Sequence, residues 1–172
     1  MSHTHELTTV EHLDLQRYLG TWYEIARKPM WAEDTAASDI TATYSLNEDG
    51  SVKVLNRCFD EDGEFEDSEG RATPVDGDNA RLEVSFMPQG LRWVPFTKGD
   101  YWVMKLDPGY NFSLVGTPDR KYLWLLARDA HPAEATVQEY LQHAASQGFD
   151  LSDLIRPAQS GRVPADPDAA QG

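Results

Sequence analysis

The chain has 172 residues, 40% hydrophobic and 10% aromatic, with a formal net charge of −14 and a pI near 4.6. A chain of this size buries roughly 70% of its unfolded surface, which suits one domain with a real core and excludes a disordered chain. The acidity excludes a phosphate-binding surface for nucleic acid and restricts membrane contact to a transient one through a local apolar or basic patch.

Residues 1–15 carry no basic segment, apolar run or small-residue cleavage site. The chain as written therefore reads as soluble and cytoplasmic, with an outer-membrane or periplasmic place as the alternative for a processed form. His3, His5 and His12 are irregularly spaced in a polar terminus, so residues 1–12 read as a flexible segment without a metal. From Thr21 onward, short β-prone runs alternate with turn chemistry, predicting strands at 22–27, 40–46, 52–59, 65–74, 80–87, 100–106, 111–116 and 122–128. The turns at 47–50, 60–63, 76–79, 107–109 and 117–119 hold Gly, Asn, Asp and Pro, which tolerate positive φ or pre-set a turn.

Such a meander removes its exposed edges by closing on itself, so the predicted fold is an all-β, eight-stranded antiparallel up-and-down barrel. Eight strands enclose either a packed core or room for one small ligand, and the strand count does not decide between them. Past the last strand, Pro132 suits a first helical turn, and Val137, Tyr140, Leu141 and Ala144 fall on one stripe that would pack outside the barrel. Gly148 supplies the stop. The Pro-, Ala- and Gly-rich remainder reads as a disordered tail, placing the domain at 13–157 and the tail at 158–172.

Alternation along 81–86 sends Leu82, Val84 and Phe86 inward. Along 101–106, an outward Lys105 would send Trp102, Met104 and Leu106 inward. Two apolar stretches, Met30 and Trp31 in the first loop and Arg92, Trp93 and Phe96 before the sixth strand, read as a rim, serving as a lipid portal, a homodimer contact or ordinary packing. Arg92 and Lys98 stand beside that rim as possible partners of an anionic head group. The single cysteine, Cys58, forms no intrachain disulfide and reads as a small apolar filler. The acidic run at 60–69 lacks the residue order of a calcium loop, and no histidine falls in a predicted strand, so neither a metal nor a catalytic centre is expected.

The segment Leu19-Gly20-Thr21-Trp22-Tyr23 resembles the block that opens lipocalins. Gly99-Asp100-Tyr101-Trp102-Val103 and the run from Arg120 to Arg128 are similar to that family's second and third blocks, in the same order. Ala42-Thr43-Tyr44-Ser45-Leu46 and Val54-Leu55-Asn56-Arg57 place the resemblance, over residues 13–157, near bacterial lipocalins, plant temperature-induced lipocalins and apolipoprotein D. It implies a carrier of a small hydrophobic ligand, a fatty acid or lysophospholipid, with no cofactor and no catalysis. It also implies a structural signature of Gly20, Trp22, Tyr23, Asp100 and Arg128, with Trp22 closing the lower end and Arg128 stacked across it. The resemblance puts Tyr44, Asn56 and Trp124 on the pocket wall, and alternation adds Val54, Leu126 and Tyr122.

Departures matter too. The lipid-modified cysteine of exported bacterial relatives and the second cysteine of disulfide-bonded relatives are both missing from this sequence. The alternatives are a solid barrel whose partner docks on Trp31 and Trp93, or a barrel isomerase or epoxide-processing enzyme.

Overall fold

The computed structural model describes residues 6–29, 37–60, 62–75, 78–86 and 98–161. These form a short helix α1 (Leu15–Tyr18), strands β1 (Gly20–Arg27), β2 (Ser38–Leu46), β3 (Val52–Phe59), β4 (Phe65–Val75), β5 (Asp78–Phe86), β6 (Lys98–Leu106), β7 (Phe112–Gly116) and β8 (Leu123–Ala127), and a helix α2 (Glu134–Ser146). Each strand pairs antiparallel with the next, and β1 pairs with β8, so the sheet is a closed barrel. The turns work through the acidic side chains. Asp107 Oδ1 accepts from the N–H groups of Asn111 and Phe112 at 2.6 and 2.7 Å, and Asp60 Oδ1 accepts from those of Asp62 and Glu64 at 2.9 and 2.8 Å.

The wall separates two apolar clusters. One lies inside the barrel and includes Trp22, Ala42, Tyr44, Val54, Leu82, Val103, Val115 and Leu126. The other lies outside, where the buried stripe Val137, Tyr140, Leu141 and Ala144 of α2 meets Ile25, Leu114, Leu125 and Ala127. The predicted stripe is the buried face of the helix. The domain reaches further at both ends than its predicted limits. Leu7 is 1% exposed in the outer cluster, Glu6 pairs with Arg81 at 2.7 Å, and Val10 N–H donates to the Val103 carbonyl at 3.0 Å. Residues 6–10, expected to belong to a flexible segment, thus pack onto the barrel, Leu7 in the outer cluster and Val10 against the interior one.

At the other end, the chain fills a gap in the sheet. β1 and β2 pair only from Gly20 to Tyr23; beyond that point Arg27 bridges to Ile155, and Gln159 Nε2 donates to the carbonyls of Glu24 and Ile40 at 2.9 and 3.0 Å. Asp39 fastens the strap, accepting from Ser160 N–H at 2.7 Å, Ser160 Oγ at 2.8 Å and Gly161 N–H at 3.0 Å. Composition predicts disorder from residue 158 onward, but unpaired strand edges recruit backbone regardless of composition. Burial works to raise the Asp39 carboxyl, and the hydrogen bonds from Ser160, Ser38 and Gly161 outweigh it and leave it below its usual range. The strap therefore contributes stability above the ordinary carboxylate range and loses it as pH falls through the lowered folded value. Asp39→Ala is expected to free residues 158–161 at a cost of about 1–2 kcal/mol. Amide exchange checks this: protection at Ser160 and Gly161 should vanish while the amides of Trp22 and Tyr23 stay protected.

β6 departs from simple alternation. Lys105 does point outward, with its Nζ 5.0 Å from the Tyr140 ring centroid, but the register shifts between Val103 and Lys105. The extra residue of this bulge reverses the parity. Tyr101 and Val103 therefore pack with the interior cluster, whereas Trp102 and Met104, expected inside, pack with the outer one.

Candidate functional site

The loops 47–51 and 107–111 gather with α1 at one end of the barrel, and its floor is built there. Asp14 caps α1, its Oδ1 accepting from Gln16 N–H at 3.0 Å, and Tyr110 Oη lies 2.8 Å from Asp14 N. Trp22 is fully buried above it, donating from Nε1 to the Tyr18 carbonyl at 2.9 Å. The Arg128 guanidinium stands 3.8 Å from the Trp22 ring centroid. It also donates to the carbonyls of Thr21, Arg17, Tyr18, Leu19 and Tyr110 at 2.9 to 3.3 Å. Gly20 lets the chain pass: its φ is +104°, and a Cβ there would lie 3.1 Å from Arg128 Nη1. The structure thus brings Gly20, Trp22 and Arg128 together, while Tyr23 faces the outer cluster and Asp100 is exposed opposite Glu83.

Above Trp22 runs a chain of hydroxyls. Ser113 Oγ, Tyr18 Oη, Tyr101 Oη and Tyr44 Oη follow one another at 2.7, 2.7 and 2.8 Å. Burial pushes the Tyr18 phenol up to about 12 and those of Tyr44 and Tyr101 well above their ordinary value. All three are therefore neutral donors and acceptors at physiological pH. Beside them, Leu15, Val54, Ala72 and Leu82 help line a void of about 20 Å³, room for about one water and no ligand.

Further up, the inward positions mix apolar and polar side chains. Glu24, opposite Leu126, faces inward with the parity of Trp22, and a register shift between Glu24 and Ala26 turns Arg27, opposite Trp124, inward as well. They form a buried pair, Arg27 Nη1 to Glu24 Oε2 at 3.1 Å, with Arg27 at 0% and Glu24 at 5% exposure. On the facing strands, Asn56 stands opposite Ala42 on one side and Ser68 on the other. Trp124 is half-buried, its ring 6.3 Å from that of Tyr122 and 24° from parallel.

Of the residues predicted to line the pocket, Tyr44, Val54, Trp124 and Leu126 meet in the interior cluster. Asn56 shares their face by register. Trp102 lies outside the wall, with the Arg81 guanidinium 4.3 Å from its ring centroid. Met104 is buried outside as well, beside Gly116 and Phe149. Phe86 is opposite Gly70 in the ladder, with its side chain outside the described residues. Met30, Trp31, Arg92, Trp93 and Phe96 also lie outside the described residues. Cys58 is buried with Ala37 and Ile40, as a small filler would be. Sequence reasoning missed Glu24, Arg27 and Ser68. Glu24 and Ser68 share the parity of Trp22 and Ala72, which is the signal that finds them; Arg27 turns inward only through the bulge.

A sequence model of the lipocalin-like domain matches residues 13–159. The chain belongs to the lipocalin family. It is 40% identical over 167 residues to temperature-induced lipocalin-1 of Arabidopsis thaliana, covering 95% of this chain and 89% of that one. It is 41% identical over 157 residues to the outer membrane lipoprotein Blc of Escherichia coli K12, covering 90% and 84%, and 33% identical over 148 residues to apolipoprotein D of Macaca fascicularis, covering 84% and 76%. Among solved structures, insecticyanin of the tobacco hornworm Manduca sexta superposes with a TM-score of 0.67 at 18% identity, over 91% of this lipocalin and 86% of that protein. Lobster apocrustacyanin A1 superposes with a TM-score of 0.67 at 13% identity, over 84% and 79%. At these identities the structural likeness shows the barrel fold, and the sequence relatives show the family, whose members bind small hydrophobic ligands.

Proposed function

We propose that this lipocalin carries a small hydrophobic ligand, a fatty acid or lysophospholipid, inside its barrel, and that Tyr44, Val54, Asn56, Trp124 and Leu126 line the site. One observation carries this reading: above the tyrosine floor the inner wall joins the apolar surfaces of Val54, Trp124 and Leu126 to the half-buried amide of Asn56. Mostly apolar linings with a few placed polar groups characterise ligand pockets, whereas a dry core would leave such an amide costly. A carrier role is favoured over catalysis because the described inward side chains include no histidine, and Cys58 sits among apolar neighbours.

Among the described residues no helix is long and apolar enough to cross a membrane. The similarity to outer membrane lipoproteins supports a carrier that meets a lipid surface transiently to exchange its ligand.

Titrating the delipidated protein with a fluorescent fatty acid and then lysophospholipid tests the proposal through intrinsic tryptophan quenching. Saturable quenching is expected, and Trp124→Ala is expected to weaken binding about ten-fold, the equivalent of about 1.4 kcal/mol of lost apolar contact. No saturable binding by the wild type would instead favour the solid-barrel interaction module.

A further inference from the structure

The inner wall holds a polar group that the fold itself does not satisfy. Ser68 is 4% exposed, and its Oγ has no hydrogen-bond partner among the described residues. Folded proteins pair the large majority of buried side-chain polar atoms, so an orphan hydroxyl calls for a physical reason. Ser68 faces the interior by register, being opposite Asn56, which is itself opposite Ala42 of the interior cluster. Toward the floor the neighbouring inward positions on β2 and β4 are small, Ala42, Gly70 and Ala72, while Glu66 follows Ser68 on the same face of β4 in the other direction. Two adjacent hydrogen-bonding side chains are thus set in a stretch of wall whose described neighbours toward the floor are small. A hydroxyl that donates and accepts stands beside an amide that does both.

The tyrosine hydroxyls and the Glu24–Arg27 pair are committed elsewhere. Tyr18, Tyr44 and Tyr101 bond one another, and the inward cation Arg27 faces Glu24 at 3.1 Å. An ionised carboxylate entering this region would lose its water near a buried carboxyl, in a chain of net charge −14, and Ser68 and Asn56 offer it no charge. An uncharged group meets none of these penalties. We propose that Ser68 and Asn56 hold an uncharged hydrogen-bonding group of the ligand, a hydroxyl, ester or amide, against the β3–β4 wall. This rests on the interior being the ligand site, and it narrows the ligand to an amphiphile whose polar link enters the barrel in neutral form.

The test compares three probes of equal chain length, dodecanol, dodecanamide and dodecanoate, each competing with a bound fluorescent fatty acid on delipidated wild type and Ser68→Ala. Wild type is expected to prefer the alcohol and the amide to the carboxylate. Ser68→Ala, nearly isosteric, is expected to weaken those two roughly three- to ten-fold while leaving dodecanoate within about two-fold. The unliganded variant should melt at or above the wild-type temperature, because a buried hydroxyl without a partner has been removed. Equal losses for all three probes, or no loss for the alcohol and amide, would overturn the assignment while leaving the carrier reading in place. Failure of the wild type to bind the fluorescent fatty acid or any probe would overturn both.

Discussion

Arg128→Ala is expected to lower the unfolding free energy by about 3 kcal/mol and the melting temperature by roughly 10 °C. The guanidinium covers the Trp22 ring at 3.8 Å and donates to five carbonyls drawn from the end of α1, the start of β1 and the turn before β7. It is the piece that joins the last strand to the floor. Each charge-assisted hydrogen bond is worth about 1.5–3 kcal/mol at most, and the stack about 0.5–2 kcal/mol. The sum is discounted because Arg128 is only half-buried and water replaces part of what is lost. Lysine at 128 should recover less than half of the loss, since a single ammonium cannot reach carbonyls that diverge around a planar fork. Urea unfolding of the three proteins checks this, and a lysine variant as stable as wild type would show that charge alone holds the floor.

Arg27→Met is expected to cost more, about 3–5 kcal/mol near neutral pH, because it leaves Glu24 as an unpaired charge behind the wall. The loss should depend on pH in a direction the structure dictates. Burial raises the Glu24 carboxyl above its ordinary 4.5, and Arg27 draws it part of the way back. A carboxyl with a raised folded value binds its proton more readily when folded. Its contribution is complete below the ordinary value and is lost as pH rises through the folded one. Removing Arg27 raises the folded value further, so the deficit should shrink as pH falls from neutral toward the ordinary carboxylate value. The double variant Glu24→Leu/Arg27→Met should regain most of the loss, since a buried ion pair replaced by apolar groups of similar volume is close to neutral. A deficit that stays constant with pH, and persists in the double variant, would mean that packing rather than charge holds this corner.

Much of the interior was legible one strand at a time. Where alternation runs unbroken, as from Leu82 to Val84 or onward from the anchor Trp124 to Leu126, parity carries the assignment of inward residues, and the structure agrees. Where a bulge intervenes, parity fails. Met104 is the extra residue of β6, and its insertion carries Lys105 outward while Tyr101 and Val103 take the interior. The same device in β1 brings Arg27 inward beside Glu24, a pairing no period-2 reading would produce. A bulge has no reliable sequence mark, because it answers to the curvature of the closed sheet and not to its own residues.

Turn chemistry, alternation and the helical stripe are local: each depends on residues within a few positions, so strand order and the C-terminal helix were accessible from the chain alone, whereas the Trp22–Arg128 pairing came only through the family resemblance. The strap at 155–161 and the cover formed by Glu6 to Val10 are different in kind. Neither segment carries a periodic pattern. Both are held by partners far along the chain, Asp39 and Glu24 for one, Val103 and Arg81 for the other. Their order comes from strand edges and apolar surface that exist only once the barrel has closed. The orphan hydroxyl of Ser68 follows the same logic, since a serine in a strand is unremarkable until the fold buries it without a partner.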